Sequence, residues 1–480
     1  MNWQPVNITS GHNPSRYPQV SNAQLYNFYV SKQETGPCLF PTPGYKVINK
    51  TFQDKNPRGI FYSTVFGGII AVFDRNIYLF INITSTPTIL NPDLPLEKET
   101  GTVFMEENET SQVVFSDGQK IYVAIKGEKT SFQKAPIPVG IVPTNIVFTD
   151  GYFITTDKLT RKFYISGNDT ALEWKTLDFS FDDSKTVGVS IANRQLLVFG
   201  EQKTGVFHDA GIVPFPFQRT STFSIEYGCL SVDSIAKGFG IICWLAGSKE
   251  SNPILMMSTG GRPKKFSSEN IDCKISDLTK PENCDAFMYQ LDGHIFYQIN
   301  FYSDDISLLY DFTTQKFSEI SEKDTSISTS NTSVSKMSSV QYLTRLGNKT
   351  YCLLRNKPYI HEFSNKIATN DEIQIPRSII TNNFHENSPL KIAELRIWAQ
   401  QGIYKNPDNL AYVRLSISND EGVTFAELDQ KKLAQIGDRD AFIIYGPLGT
   451  SYRWAFKFEF FSNSPVVFMN SQMRMERMPS

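Results

Sequence analysis

The sequence predicts an all-β protein, in which a β-propeller of about six or seven blades is followed by a C-terminal antiparallel β-sandwich. Aromatic residues make up 13% of the chain, and they favour the pleated, half-buried surface of a strand. A strand–turn–strand unit recurs along the middle of the chain, whereas a sustained helical pattern of apolar residues is almost absent. The best helical candidate, residues 267–280, is short and polar.

Each repeated unit contains an apolar strand, a turn and a second strand with alternating aromatic residues. Examples are GIIAVFDRNIYLFI, QVVFSDGQKIYVAI, NIVFTDGYFITTD, QLLVFGEQKTGVFHD, HIFYQINFYSDDISLLYDF and TYCLLRNKPYIHEF. Turns such as Asp-Gly and Asp-Arg-Asn contain residues that tolerate positive φ in hairpins. The units recur at intervals of roughly 40 to 50 residues, which is near the length of one four-stranded propeller blade. We therefore assign residues 49–375 to the propeller.

The length and pattern of the predicted strands change after the propeller. Residues 376–480 contain longer strands with mostly regular in–out alternation, which predicts a separate antiparallel β-sandwich. The stretch 323–340 consists almost entirely of small polar residues and is predicted to be a flexible loop at a blade tip.

Charge and hydropathy exclude several classes of function. The net charge is −2 and no basic stripe is present, so a sequence-reading DNA-binding module is not expected. No apolar run approaches the roughly 20 residues of a membrane span, and the N-terminus lacks the pattern of a signal peptide. We therefore expect a soluble protein without membrane insertion. The cysteines lack C-x-x-C spacing, which predicts free thiols rather than a zinc site.

One stretch in the C-terminal region matches the Asp-box pattern best known from sialidases. The matching residues are Ser418, Asp420, Gly422, Thr424 and Phe425. In an Asp box the aspartate accepts backbone N–H bonds across a hairpin turn, the glycine supplies positive φ and the aromatic residue packs under the turn. The pattern therefore predicts a structural turn.

The sequence predicts no catalytic, cofactor-binding or metal-binding residues. A sialidase needs three converging arginines, yet the nearest counterpart near the propeller start is NPRGIF, where Arg58 is followed by glycine. His208, His294, His361 and His385 show no metal-ligand spacing among one another. Two alternatives stay open: a carbohydrate-binding or glycoside-cleaving propeller, sialidase-like or a depolymerase, and a propeller that serves as an interaction module.

A series of short motifs resembles one protein family in the same order along the chain. LYNFYVSK and FPTPGYKVI stand near the start, followed by PRGIFYS, DGYF, RQLLVFGE, FPFQR and WLAG. SPLKIAELRIWAQQG, LSISNDEGVTF and RWAFKFEFFSNSPVVFMNSQMRME stand near the end. This series is similar to the packaged-DNA stabilisation proteins of short-tailed, podovirus-type bacteriophages, which are tail-hub or head-completion factors. The similarity runs from about residue 20 to residue 476.

The resemblance implies a structural virion protein of the phage tail, assembled in the host cytoplasm, with no enzymatic activity. It implies a hexameric ring that closes the portal-adaptor channel after genome packaging and stabilises the packaged DNA. Its implied partners are the portal-adaptor protein, the tail needle or plug and the tailspikes or fibres. Double-stranded DNA would pass through the channel without sequence-specific binding. Residues 1–48 would form an extended N-terminal segment that contributes to the hub, together with residues 376–480.

Overall fold

The computed structural model describes residues 2–34, 36–50, 52, 55–175, 184–213, 215–220, 225–248, 251–323, 335–399, 411–433 and 442–478. Most of the stretch 323–340, predicted to be a loop, lies outside these residues. Within the described part, the helices are the α-helix Glu269–Ser276 and the 3-10 turn Val232–Ser234, and the remaining regular structure is strand. The prediction of an all-β protein is confirmed.

Six blades follow one another along the chain, each as an antiparallel sheet. Blade 1 comprises Pro57–Ser63, Gly68–Phe73, Asn76–Phe80 and Thr88–Ile89; blade 2 comprises Phe104–Glu107, Gln112–Ser116, Ile121–Ile125 and Ser131–Lys134. Blade 3 comprises Pro143–Thr149, Tyr152–Asp157, Phe163–Gly167 and Thr170–Trp174; blade 4 comprises Thr186–Ala192, Gln195–Gly200, Thr204–Asp209 and Phe217–Arg219. Blade 5 comprises Gly228–Cys229, Ala236–Gly238, Ile241–Ser248, Ser251–Ser258 and Lys264–Lys265; blade 6 comprises Cys284–Leu291, His294–Phe301, Ile306–Asp311 and Lys316–Lys323, joined by Ser335–Met337.

A seventh blade combines strands from two distant parts of the chain. Its inner three strands are Val340–Leu346, Lys349–Leu354 and Ile360–Ser364, and its fourth is Gly44–Asn49, flanked by the short strands Thr369–Asn370 and Ile373–Gln374. The inner strand of this blade contacts the inner strand of blade 1, so that the seven inner strands form a closed circle. The predicted propeller of six or seven blades is confirmed.

Among the described residues, seven hydrophobic clusters hold the propeller together, one between each pair of neighbouring blades. The cluster between blades 7 and 1, for example, joins the fully buried Leu353 and Ile360 to Ile69 and Phe73. Alternate residues of a strand point to opposite faces, so each blade buries one face against each neighbour. The stability of the disc therefore depends on complete closure of the ring.

The C-terminal region forms a further β-domain with its own core. Its strands are Arg377–Ile380, Phe384–Ala399, Tyr412–Ser418, Ala426–Lys432, Ile443–Tyr445, Gly449–Phe461 and Phe468–Arg477, joined by Asn2–Pro5, Gln24–Tyr26, Phe28–Gln33 and Gly36–Pro41 from the N-terminus. The long strand Gly449–Phe461 pairs with strands on both sides of the core, where the rings of Phe458 and Phe468 lie 5.9 Å apart. This antiparallel domain after the propeller agrees with the sequence prediction.

The propeller and the C-terminal domain share one continuous sheet. The strand Gln24–Tyr26 of the N-terminal segment has partners on both edges. On one edge Tyr26 pairs in parallel with Glu319 of the outer strand of blade 6, and the other edge pairs with Arg377–Ile380. Residues 1–48 thus supply strands to both parts of the molecule. The division of the chain at residues 48 and 376 stays a prediction. No helix in the described part is long and apolar enough to cross a membrane.

Candidate functional site

The Asp-box residues meet at a hairpin turn of the C-terminal domain. The Asp420 carboxylate accepts hydrogen bonds from the backbone N–H of Thr424 at 2.9 and 3.1 Å and from the Ser418 hydroxyl at 2.7 Å. The Ser418 oxygen in turn accepts the N–H of Gly422 at 2.8 Å. Gly422 has a φ of +83°, a conformation that favours glycine. The carboxylate is therefore engaged within its own turn.

The same turn packs against the N-terminal segment. A β carbon at Gly422 would lie 1.8 Å from the side-chain nitrogen of Asn22, which is 3% exposed. Phe425, the aromatic residue of the Asp box, is half-buried. These contacts shape the hairpin and pack it against the N-terminal segment. We keep the hypothesis that the Asp box is a structural turn.

We expect Asp420→Asn to lower the melting temperature by a few degrees at pH 7. Hydrogen bonds from Thr424 and Ser418 lower the pKa of Asp420 to about 2. A lowered folded-state pKa contributes stability above the unfolded value of about 3.9, and this stability is lost as the pH falls through about 2. The gap between wild type and variant should therefore shrink between pH 4 and pH 2 in thermal unfolding monitored by circular dichroism. Asp93→Asn, at an exposed carboxylate, is the control; an equal loss there would contradict the argument.

A second polar cluster joins the N-terminal segment to blade 6. His294 Nδ1 lies 2.8 Å from Asp311 and its Nε2 lies 3.2 Å from the Ser31 hydroxyl. This order of groups is that of a hydrolytic triad, but all three residues are at most 6% exposed, and Gln33 donates a hydrogen bond to the Ser31 oxygen. The cluster therefore stabilises the junction between the two segments. The hairpin that brings His294 beside Asp311 was visible in the sequence, whereas the approach of Ser31 was not.

A third group of ionisable residues lies between blades 6 and 7. Burial raises the pKa of Asp285 to about 7, although Arg355, whose Nη2 lies 3.5 Å away, and a hydrogen bond from Asn300 act to lower it. The guanidinium of Arg355 also stacks over the ring of Tyr302, with 3.7 Å between the guanidinium carbon and the ring centroid. Sequence reasoning did not identify this group, because its members come from blades 6 and 7.

An aromatic surface covers part of the outer face of the C-terminal domain. We define it by Trp3, Arg396, Trp398, Phe442 and Ile444. Arg396 lies over the ring of Trp3, with its guanidinium carbon 4.0 Å from the centroid, and the rings of Trp398 and Phe442 lie 5.0 Å apart. The four apolar members are between 38% and 46% exposed. Tryptophan and arginine are enriched among the residues that dominate protein–protein interfaces.

Arg58, the residue compared with the arginines of sialidases, has a different role. It is 1% exposed, and its guanidinium donates hydrogen bonds to the backbone carbonyls of Gly101, Asp74 and Lys98 at 2.6 to 2.7 Å. These donors are therefore not available to a substrate carboxylate. In the part of the chain that the structure describes, no group of three or more histidine, cysteine, aspartate or glutamate residues could hold a metal ion.

Three solved structures illustrate what the chain is similar to. A catalytically inactive virginiamycin B lyase from Staphylococcus aureus is 13% identical, with a TM-score of 0.45 over 67% of this chain and 99% of that chain. YCF48 from Cyanidioschyzon merolae is 9% identical, with a TM-score of 0.40 over 67% and 98%. The dihydro-heme d1 dehydrogenase NirN is 10% identical, with a TM-score of 0.41 over 84% and 79%. Likenesses of this size carry no functional argument.

One protein family matches the chain itself. Residues 56–330 match the model of a phage stabilisation family described as bacteriophage P22 Gp10, β-propeller. The matched residues make up more than half of the chain and contain all six contiguous blades. No curated protein matches the chain.

Proposed function

The chain belongs to the phage stabilisation family of bacteriophage P22 Gp10, and we propose that it is the tail hub of a short-tailed phage. The family is structural, so the chain is a component of the virion. In the proposed role it closes the portal-adaptor channel after genome packaging and keeps the packaged DNA inside the head. The observation that carries this proposal is the family match across the contiguous blades.

We assign the partners from the same role. The hub forms a hexameric ring, binds the portal-adaptor protein above it, and holds the needle or plug and the tailspikes or fibres. A disc with loops on two faces suits a protein that contacts several partners at once. The near-neutral net charge of −2 favours a channel through which double-stranded DNA passes without adhering, because tight phosphate contacts require lysine and arginine in excess. Assembly takes place in the host cytoplasm.

We assign contact between neighbouring subunits of the ring to the C-terminal domain. A ring needs two different patches on each subunit that complement each other. The aromatic surface supplies one such patch, because it combines half-exposed tryptophan and phenylalanine rings with a guanidinium group.

Phage particles assembled without this protein should package their genome and then lose it. DNA retention is measured by the fraction of nuclease-sensitive genome after packaging, with purified full-length protein added back to one sample. Restored retention would support the hub role. Heads that stay full but fail to bind or degrade the host surface would contradict it and favour the carbohydrate-binding or glycoside-cleaving alternative.

The same assay tests the aromatic surface. Trp398→Ala combined with Phe442→Ala should leave a folded chain that fails to restore retention. The matched control is Ile81→Ala, which removes a 65% exposed residue from blade 1 and should restore it. A double variant that restores retention as well as the control would remove this surface from the proposed ring contact while leaving the hub role intact.

A further inference from the structure

A polar cleft of about 400 Å³ lies where the N-terminal segment meets blade 6. Its walls come from the N-terminal segment, from the last turn and outer strand of blade 6, and from the start of the C-terminal domain. Most of the residues that line it are asparagine, serine and threonine, and none of those described is aromatic. Ligand pockets in proteins commonly have volumes of roughly 300–1,000 Å³, so the cleft has the size of a ligand site.

Two lysines line the cleft, Lys32 from the strand Phe28–Gln33 and Lys316 from the outer strand of blade 6. Among the described residues that line it, none is aspartate or glutamate. Over the same part of the chain, neither ammonium group has a carboxylate within 4.0 Å or a hydrogen-bond partner. The positive charge of the cleft is therefore not balanced by an acidic residue of its own lining.

Two asparagines of the cleft turn their side-chain oxygens toward the protein. Asn7 Oδ1 accepts the backbone N–H of Thr9 at 3.0 Å. Asn382 Oδ1 accepts the backbone N–H groups of Asn22 and Ala23 at 3.2 and 3.0 Å. Because a backbone N–H can only donate, these bonds fix which end of each amide is the oxygen. Within the described ranges, the NH₂ group of neither asparagine has a hydrogen-bond partner.

Asn13 of the same cleft has the same arrangement. Its Oδ1 accepts the hydroxyl of Ser268 at 2.7 Å, and its NH₂ group has no partner in the part of the chain that the structure describes. The lining thus includes three amide NH₂ groups and two ammonium groups that donate to nothing in the described chain. A ligand with several acceptor oxygens and a negative charge matches this set of donors.

The size and polarity of the cleft indicate the body of that ligand. An inorganic ion would fill only a small part of about 400 Å³. An apolar body would cover the amide groups and the Ser10 hydroxyl without giving them partners, and polar groups are costly to bury unless they are hydrogen-bonded. A body that carries hydroxyl groups of its own supplies those partners, because a hydroxyl both donates and accepts.

We propose that this cleft binds an acidic sugar. The carboxylate or phosphate of the sugar would be bound by Lys32 and Lys316. Its hydroxyl groups would accept hydrogen bonds from the amides of Asn7, Asn13 and Asn382. Two sources could supply this chemistry: a free acidic sugar, or one unit of an acidic polysaccharide. The inference concerns a site at the junction of the N-terminal segment and blade 6, and it is independent of the proposed hub role.

The test measures binding of glucuronate, glucose 6-phosphate and uncharged glucose to the full chain by isothermal titration calorimetry. One acidic sugar or both should saturate one site per chain, and glucose should bind at least tenfold more weakly. Lys32→Met combined with Lys316→Met should weaken binding of the acidic sugar at least tenfold. The charge-matched control is Lys129→Met combined with Lys366→Met, at exposed lysines of blades 2 and 7, and should change it less than twofold. No saturable binding of either acidic sugar, or an equal loss in both double variants, would overturn the proposal.

Asn382→Asp tests the amide donors separately from the lysines. Its carboxylate keeps an acceptor for the N–H groups of Asn22 and Ala23 but replaces the free NH₂ group by a charged oxygen. Binding of the acidic sugar should therefore fall at least tenfold in a chain that still folds, as checked by circular dichroism. Asn348→Asp, at an exposed turn of blade 7, is the control and should leave binding unchanged. Wild-type binding by folded Asn382→Asp protein would contradict the proposed site.

Competitors distinguish the sources of the ligand. Tighter binding of a hyaluronan hexasaccharide than of either acidic monosaccharide would assign an acidic polysaccharide, and equal or weaker binding would assign a free acidic sugar. Hexaglutamate carries carboxylates without a sugar body and should not displace the bound sugar at the same concentration. Displacement by hexaglutamate as effective as that by the acidic sugar would overturn the proposal in favour of an acidic peptide.

Discussion

Gly44→Ala should destabilise the protein by about 3 kcal/mol, a loss at the upper end of the range for overpacked sites. A β carbon at Gly44 would lie 2.3 Å from the Thr369 carbonyl oxygen and 2.8 Å from that of Ile367. Both obstacles are backbone atoms and cannot rotate away. Gly44 also donates its N–H to the Ile367 carbonyl at 2.8 Å, so the strand cannot shift without losing this bond.

The measurement is the free energy of unfolding from urea titration, monitored by tryptophan fluorescence. Gly261→Ala is the matched control, because nothing lies within 4 Å of its β-carbon position and its φ is not positive. The control should remain within about 0.5 kcal/mol of wild type. Equal stability of the Gly44 and Gly261 variants would show that the fit of the strand Gly44–Asn49, which completes blade 7, does not limit the stability of the ring.

The large expected effect follows from where Gly44 lies in the fold. It begins the strand Gly44–Asn49, which pairs with Ile360–Ser364 and completes the last blade. Without that strand, blade 7 would expose an unpaired edge, and unpaired edges are prone to aggregation. Tyr45 of the same strand contributes to the cluster between blades 6 and 7. A local clash is therefore expected to weaken closure of the whole circle.

The sequence predicts the propeller well where pairing is local. All six hairpins recognised as repeated units are neighbouring strands of one blade. Blade 5 was not among those units, because its strand Ser251–Ser258 contains Pro253 and lacks alternating aromatics. The closing strand was not predictable either. Its pattern indicates a strand, but its partner lies more than 300 positions away, and periodicity carries no information about pairing at that distance.

The same limit applies to the sites. The hydrogen bonds of the Asp box join residues at most four positions apart, so spacing alone was enough to predict their geometry. The pairing of Arg355 with Asp285 depends on how blades 6 and 7 meet when the ring closes. Such groups share no local pattern, and only the closed ring brings them together.

Arg58 is a buried charge whose Nε and Nη1 donate hydrogen bonds to backbone carbonyls in place of a carboxylate, while its Nη2 is buried and finds no hydrogen-bond partner among the described residues. It lies at the start of blade 1, while Gly101 and Lys98 belong to the segment that leads into blade 2. Its own backbone carbonyl accepts the N–H of Val103 at 2.8 Å. Arg58 is therefore hydrogen-bonded to the segment before blade 2 through both its side chain and its backbone. The guanidinium thus stabilises a connecting segment that lies between the last strand of blade 1 and the first strand of blade 2.

We expect Arg58→Met to lower the free energy of unfolding by about 3–5 kcal/mol, because methionine fills similar space but leaves three carbonyl groups without their donors. Arg58→Lys should recover only part of the loss, because one ammonium group cannot reach all three carbonyls in the geometry of the planar guanidinium. Arg345→Met, at an exposed arginine of blade 7, is the control and should cost less than about 0.5 kcal/mol in the same urea titration. If the Arg58 and Arg345 variants unfold at the same urea concentration, the connection between blades 1 and 2 must depend on the Val103 bond and on the hydrophobic cluster between these blades.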